Sequence, residues 1–261
     1  MLLAFDIGNT NIVIGLFDGQ ELAANWRISS DRLKTVDEYG LLLEQLFQCS
    51  NHKRQDVEAM IISSVVPNLT GTIKSMAERY FNLQAMVVSS GIKTGLALRY
   101  ENPKEVGADR IVNAVAAVAR YGAPLIIVDF GTATTFCVIN EQKEYLGGAI
   151  APGVNTSANA LIERTAQLPK VELTLPKTVI GRNTVNAIQS GLLYGYSGMV
   201  DGMVQRIAEE LGYPLEKITV VATGGLANTV KEASQTIQVV DPYLTLDGLR
   251  ILYEKNKNTG K

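Results

Sequence analysis

The chain has 261 residues, 46% of them hydrophobic and 19% charged, with a formal net charge of -2. This is the balance of a folded soluble protein with room for one large domain or two ordinary ones, and the scattered lysines and arginines argue against a basic nucleic-acid-binding face. Its cysteines, Cys49 and Cys137, lie far apart and read as buried thiols of a reducing compartment, which argues against a disulfide framework or a cysteine zinc site.

The first predicted element is an apolar run from Leu2 that ends in Asp6. It turns over Gly8-Asn9-Thr10-Asn11 and leaves in a second apolar run to Phe17, the pattern of an antiparallel hairpin. With no basic leader and with Asp6 in place, this start is read as a strand and not as a signal peptide. No apolar run approaches the ~20 residues of a membrane span, and a cytoplasmic protein is expected. Phe17 to Gln20 is a further turn and Glu21 to Ile28 a half-exposed strand. After a polar loop, Ser29 to Asp37, helical spacing sets in over Val36 to Gln48. Ala59 to Val66 is a buried strand stopped by Pro67, Leu69 to Phe81 a helix, and Ala85 to Val88 a strand ending in Ser89-Ser90-Gly91. From Ile92 to Val106 the pattern fades, with a turn at Tyr100 to Pro103. Gly107-Ala108-Asp109-Arg110 then opens an alanine- and valine-rich helix that runs through Tyr121 and is ended by Gly122 and Pro124.

The second half repeats this order. Leu125 to Val128 leads into Asp129-Phe130-Gly131, a threonine-rich turn follows, and a strand runs on to Ile139. A third strand is expected near Tyr145 to Ile150, then a Pro152-Gly153 break, a helix over Val154 to Leu168 and a loop from Pro169 to Asn183. Thr184 to Leu211 is a long helical region. Ile218 to Ala222 is a strand running into Thr223-Gly224-Gly225, followed by a short helix, a strand at Thr236 to Val240 and a terminal helix from Tyr243 to Lys255 with a basic tail. Each half thus reads as three strands, a helix, a strand, a helix and a strand. Such a duplication implies two similar α/β domains, 1–117 and 118–261, facing a cleft into which both D-x-G hairpins point.

A carboxylate at the end of a buried strand is costly unless something pairs with it or ligates it. Asp6 and Asp129 are therefore candidate cation handlers, because Mg²⁺ binds through one or two carboxylates, waters and substrate phosphates. Strand-end aspartates that only satisfy turn amides are the rival reading for either one alone. Gly8-Asn9-Thr10-Asn11 and Gly131-Thr132-Ala133-Thr134 are candidate phosphate clamps, with neither a P-loop nor a G-x-G-x-x-G after a strand to do that work. Gly224 and Gly225 fit backbone packing against an adenosine or a close strand-to-helix turn equally well. Asp109 with Arg110 suits acceptor chemistry: the carboxylate would take a hydroxyl proton and the guanidinium would fork onto an acceptor carboxylate. A plain helix start, with Asp109 at the positive end of the macrodipole, competes with that reading.

Taken together, D-I-G-N-T-N at 6–11, G-A-D-R at 107–110, D-F-G-T-A-T-T at 129–135 and T-G-G at 223–225 resemble the bacterial type III pantothenate kinases over essentially the whole chain. The resemblance implies duplicated ribonuclease-H-like domains of the actin-like ATPase kind, with mixed sheets flanking a nucleotide cleft. It also implies ATP-dependent phosphorylation of pantothenate to 4′-phosphopantothenate, the first step of coenzyme A synthesis. By motif match Asp6, Ile7, Gly8, Asn9, Thr10, Asn11, Ile12, Val13 and Thr132 contact ATP. Tyr100, Gly107, Ala108, Asp109, Arg110 and Thr184 line the pantothenate pocket, with Asp109 as general base. Asp129 holds a monovalent cation, potassium or ammonium, while Mg²⁺ accompanies ATP and reaches Asp6 through water. The family acts as a cytoplasmic homodimer, with no membrane or nucleic-acid partner. A non-catalytic regulator on this scaffold and a kinase for another small alcohol are the alternatives.

Overall fold

The computed structural model describes residues 1–89, 91–165 and 167–258. Ser90 of the strand end expected at 89–91, Ala166 of the helix expected over Val154 to Leu168, and the last residues of the basic tail lie outside them. The chain falls into two compact units. The first holds Met1–Gly95, Asn102–Ala116 and the segment from Thr245 onward, and the second holds Leu96–Glu101 and Ala117–Leu244.

In the first unit β1 (Leu2–Ile7), β2 (Asn11–Asp18) and β3 (Glu21–Ser29) form an antiparallel meander. α1 (Val36–Cys49) starts at Thr35 with a capping box shared with Glu38 and crosses to β4 (Ala59–Ser64), which lies parallel to β1. α2 (Pro67–Phe81) leads to β5 (Met86–Val87), parallel to β4, so the sheet runs β3-β2-β1-β4-β5. The helix begins at Pro67 itself and not at Leu69 as expected. Proline lacks only an N–H that the first helical position would leave unbonded. Leu3, Phe5 and Ile7 of β1 pack with Ile12, Ile14 and Leu16 of β2 under Tyr39, Leu43 and Phe47 of α1 and Leu69, Ile73 and Met76 of α2.

β6 (Ala97–Leu98) falls where the sequence pattern fades, and α3 (Ala108–Tyr121) follows it. Then β7 (Leu125–Phe130), β8 (Ala133–Ile139) and β9 (Glu144–Pro152) repeat the meander. α4 (Val154–Glu163) stops short of the expected Leu168, with the cap at Arg164. α5 (Thr184–Leu211) precedes β10 (Thr219–Gly224), parallel to β7, and α6 (Ala227–Lys231) precedes β11 (Val239–Val240). The sheet order is β11-β10-β7-β8-β9-β6, which is the first sheet's order with β6 added in parallel to the β9 edge. β7, β8 and β10 pack against α4, α5 and α6 through Val128, Phe136, Val220, Leu193, Val200 and Val204.

The duplication extends to burial. β1 and β7 share one pattern, buried except at the fifth position, and β4 and β10 share another, buried except at both ends.

α7 (Leu244–Asn256) departs from the expected division at 117/118. It packs in the first unit, where Leu246 lies over Gly15 and Gly248 meets the backbone of Val112. Leu96–Glu101 in turn groups with the second unit, tied by β6 to β9. Cys137 is buried as expected, but Cys49 is exposed. Among the described residues no helix is long and apolar enough to cross a membrane.

Candidate active site

Asp6 and Asp129 occupy the one half-exposed position of β1 and of β7. In parallel register beside them stand Ser63 of β4 and Thr223 of β10, both buried. The turns that follow are closed by equivalent bonds: Gly8 N–H donates to Asn11 O at 3.0 Å and Gly131 N–H to Ala133 O at 3.0 Å. These glycine amides therefore serve the hairpins, and any anion must use the donors that follow. Thr134, expected in the second clamp, is fully buried on β8 and its hydroxyl has no partner among the described residues. Its side chain alternates with those of half-exposed Ala133 and Thr135, and so falls on the buried face of β8.

Each turn is braced from outside. Ser30 N–H donates to Thr10 O at 3.0 Å and Ser30 Oγ to Gly8 O at 2.6 Å, while Arg32 Nη2 donates to Asn9 Oδ1 at 3.1 Å. In the second copy Gly153 N–H donates to Thr132 O at 3.0 Å and Thr156 Oγ1 to the same oxygen at 2.7 Å. A side chain at residue 153 would strike the carbonyls of Gly131 and Thr132, so glycine alone lets α4 start so close to the turn. Ser30, Arg32 and Thr156 carried no signal in the sequence, because they are ordinary polar residues of a loop and a helix.

Asp109 stands in the first turn of α3. Its Oδ1 accepts the Arg110 N–H at 2.8 Å, so part of the bland capping role is real. Its Oδ2 carries no hydrogen bond among the described residues. A Cβ at Gly107 would come within 2.5 Å of Asp109 Oδ1, so glycine at 107 leaves the carboxylate the room it occupies. Arg110 Nη2 donates to Glu105 O at 3.3 Å. Gly107 and Ala108 line a cavity of about 340 Å³ whose other walls include Ser64, Val65, Val88 and Ser89. Val65 N–H donates to Ile7 O at 3.1 Å, so this cavity lies past the carboxyl ends of β1, β4 and β5, beside the Asp6 turn. Ligands of open α/β sheets bind at that edge.

The remaining expected residues belong to the second unit. Tyr100 lies against Tyr145, with ring centroids 6.4 Å apart, and over Gly147. The segment that carries it is held by Arg99, whose guanidinium bonds Glu144 at 2.6 Å. The bonds from Arg99 and then Asn140 hold the Glu144 carboxyl below the usual carboxylate range. Thr184 is exposed at the start of α5 and lines a pocket of about 670 Å³ with Leu161, Arg182 and Leu192. Gly224 has φ +91°, and a Cβ there would stand 2.6 Å from Phe130 O and 2.7 Å from Asp129 Oδ1. That supplies a packing reason for glycine at 224, whereas Gly225 is exposed.

As cation sites the donors fit loosely bound ions. Among the described residues no group of three or more His, Cys, Asp or Glu could enclose a metal. Asp6 suits Mg²⁺ that takes most of its ligands from phosphate and water.

The profile of the type III pantothenate kinases matches residues 2–206. A type III pantothenate kinase from Exiguobacterium sibiricum is 54% identical over 257 residues, covering 98% of this chain and 100% of the relative. Among solved structures, a Campylobacter jejuni chain assigned to the Baf family of transcriptional activators superposes with TM-score 0.63 at 17% identity, over 98% of this chain and 99% of its own. Component A of the (R)-2-hydroxyglutaryl-CoA dehydratase of Acidaminococcus fermentans superposes with TM-score 0.57 at 14% identity, over 100% of this chain and 99% of its own. At those identities the superpositions establish the fold, an α/β fold of the actin-like ATPase kind with two mixed sheets.

Proposed function

The chain belongs to the type III pantothenate kinase family, and from that premise we propose how its residues divide the ATP-dependent phosphorylation of pantothenate to 4′-phosphopantothenate. The observation that carries the assignment is the cavity beside the Asp6 turn with Gly107 and Ala108 in its wall, at the start of the helix that bears Asp109. Asp6 to Val13 and Thr132 contact ATP. Tyr100, Gly107, Ala108, Arg110 and Thr184 contact pantothenate. Arg110 pairs with the pantothenate carboxylate, for which a guanidinium fork is the matching donor.

Asp109 Oδ2 accepts the proton of the attacking hydroxyl. The pantothenate hydroxyl oxygen bonds to the γ-phosphorus, the bond from γ-phosphorus to the bridging oxygen breaks, and ADP leaves with its electron pair. Asp6 would hold, through water, the Mg²⁺ that accompanies ATP, and that ion would supply charge neutralisation on the phosphates. A monovalent cation at Asp129, potassium or ammonium, a cytoplasmic location and a homodimeric state complete the proposal.

Asp109→Asn tests it. The variant should keep its melting temperature and its affinity for ATP while turnover falls about 10²–10⁴-fold, the usual worth of a positioned base. Turnover within about threefold of the parent would remove Asp109 from the base role. Omitting potassium and ammonium should depress turnover as well, and activity unchanged in sodium alone would remove the monovalent site.

A further inference from the structure

We propose that Arg32 contacts the phosphates of the bound nucleotide, a role that rests on reading the Gly8–Asn11 turn as a phosphate clamp. The residues of that turn bring a carboxylate, amides and a hydroxyl, but no cation. A polyphosphate is strongly anionic, and arginine stabilises its transition-state charge in many phosphoryl-transfer sites. Arg32 supplies that missing sign at the turn itself, through its 3.1 Å bond to Asn9 Oδ1.

Arg32 is exposed, and among the described residues no carboxylate stands within ion-pair distance of it. Its partner is a neutral amide oxygen, so its charge is uncompensated and most of the guanidinium's donors stay available. A guanidinium has no acceptor, so the Asn9 atom facing it must be oxygen, and Nδ2 of Asn9 is thereby turned away from Arg32. The backbone around Arg32 is fixed as well. Ser30 is bonded to Gly8 O and Thr10 O, and buried Tyr39 donates its hydroxyl to Asp31 O at 2.9 Å. Asp31 Oδ1 accepts the Leu33 N–H at 2.9 Å, and Thr35 then caps α1. An arginine on a tethered loop loses little further freedom when it binds, and a planar fork matches phosphate oxygens.

The test is equilibrium binding of ATP, ADP and adenosine to the full chain and to Arg32→Gln, Arg32→Lys and Thr10→Ala. Arg32→Gln should weaken ATP and ADP about tenfold or more, the worth of one hydrogen bond to a charged group, and leave adenosine within about twofold. Arg32→Lys should recover part of the loss, because it keeps the charge without the fork. Melting temperatures should stay together, since the side chain is exposed. ATP affinity unchanged in Arg32→Gln but weakened in Thr10→Ala would overturn the role of Arg32 and leave the clamp standing. Affinity unchanged in both would overturn the clamp. Equal losses for ATP and adenosine in Arg32→Gln would also overturn the phosphate contact.

Discussion

Asp201 on α5 shows how far one carboxylate can organise its surroundings. It accepts from Ser234 Oγ at 2.6 Å, Thr236 Oγ1 at 2.8 Å, and the backbone N–H groups of Gln235 and Thr236 at 3.0 and 3.1 Å, fixing the approach to β11. Partial burial pushes its pKa up, but the bonds from Ser234, Gln235 and Thr236 outweigh burial and hold it below the ordinary value. A carboxyl depressed in the folded state contributes stability that is complete above its unfolded pKa, near 4, and is lost as pH falls through the folded value. Asp201→Asn should therefore cost about 1–2 kcal/mol at neutral pH, after allowance for solvent screening. Below about pH 4 the gap to the parent should shrink. Thermal melts at pH 7 and pH 3 check this, and a constant gap would refute it. Asp6 and Asp129 were legible in sequence by the same physics, since a charge on a buried strand needs a reason. Arg32 was not, because nothing in a polar loop tells a tethered arginine from a free one.

Among elements, α3 and α7 meet closely enough to govern the turn that bears Asp109. Gly248 of α7 lies on the Val112 carbonyl, where a side chain has no room, and Thr245 Oγ1 donates to the buried Asn113 Oδ1 at 2.7 Å. Asn113 is one turn beyond Asp109 on the same helix face. Gly248→Ala should destabilise by about 1–3 kcal/mol through overpacking against backbone. Denaturant unfolding measures that, and an unchanged midpoint would mean that the helices separate at no cost. The terminal helix itself was legible from its spacing, and so were both meanders. What the local pattern could not carry was the unit α7 joins, because a hydrophobic stripe specifies burial and not its partner. β6 escaped for a related reason: a two-residue strand is set by its edge on β9 and leaves no alternation to read.

At the scale of the whole molecule, the repeat in sequence proved to be a repeat in strand order, register and burial. Copying a meander copies the position of the half-exposed acid in its first strand, so Asp6 and Asp129 follow from one design used twice. The second copy also carries apolar surface that its own core leaves open. Val179 is 63% exposed, Ile180 79% and Val185 41%, next to the pocket formed by Leu161, Arg182 and Thr184. Large exposed apolar side chains grouped on one face mark an interaction site more often than they decorate a monomer. The partner that satisfies the homodimer proposal is a second copy of this face, since a two-fold interface buries the same patch from both sides. Sedimentation of the parent chain at micromolar concentration should then give twice the chain mass, and Ile180→Asp with Val185→Asp should give the mass of one chain. Because Thr184 lies beside that patch, the same double variant should raise the KM for pantothenate more than the KM for ATP. A parent that sediments as a single chain would sink the dimer. A split monomer with an unchanged pantothenate KM would instead separate Thr184 from the acceptor pocket.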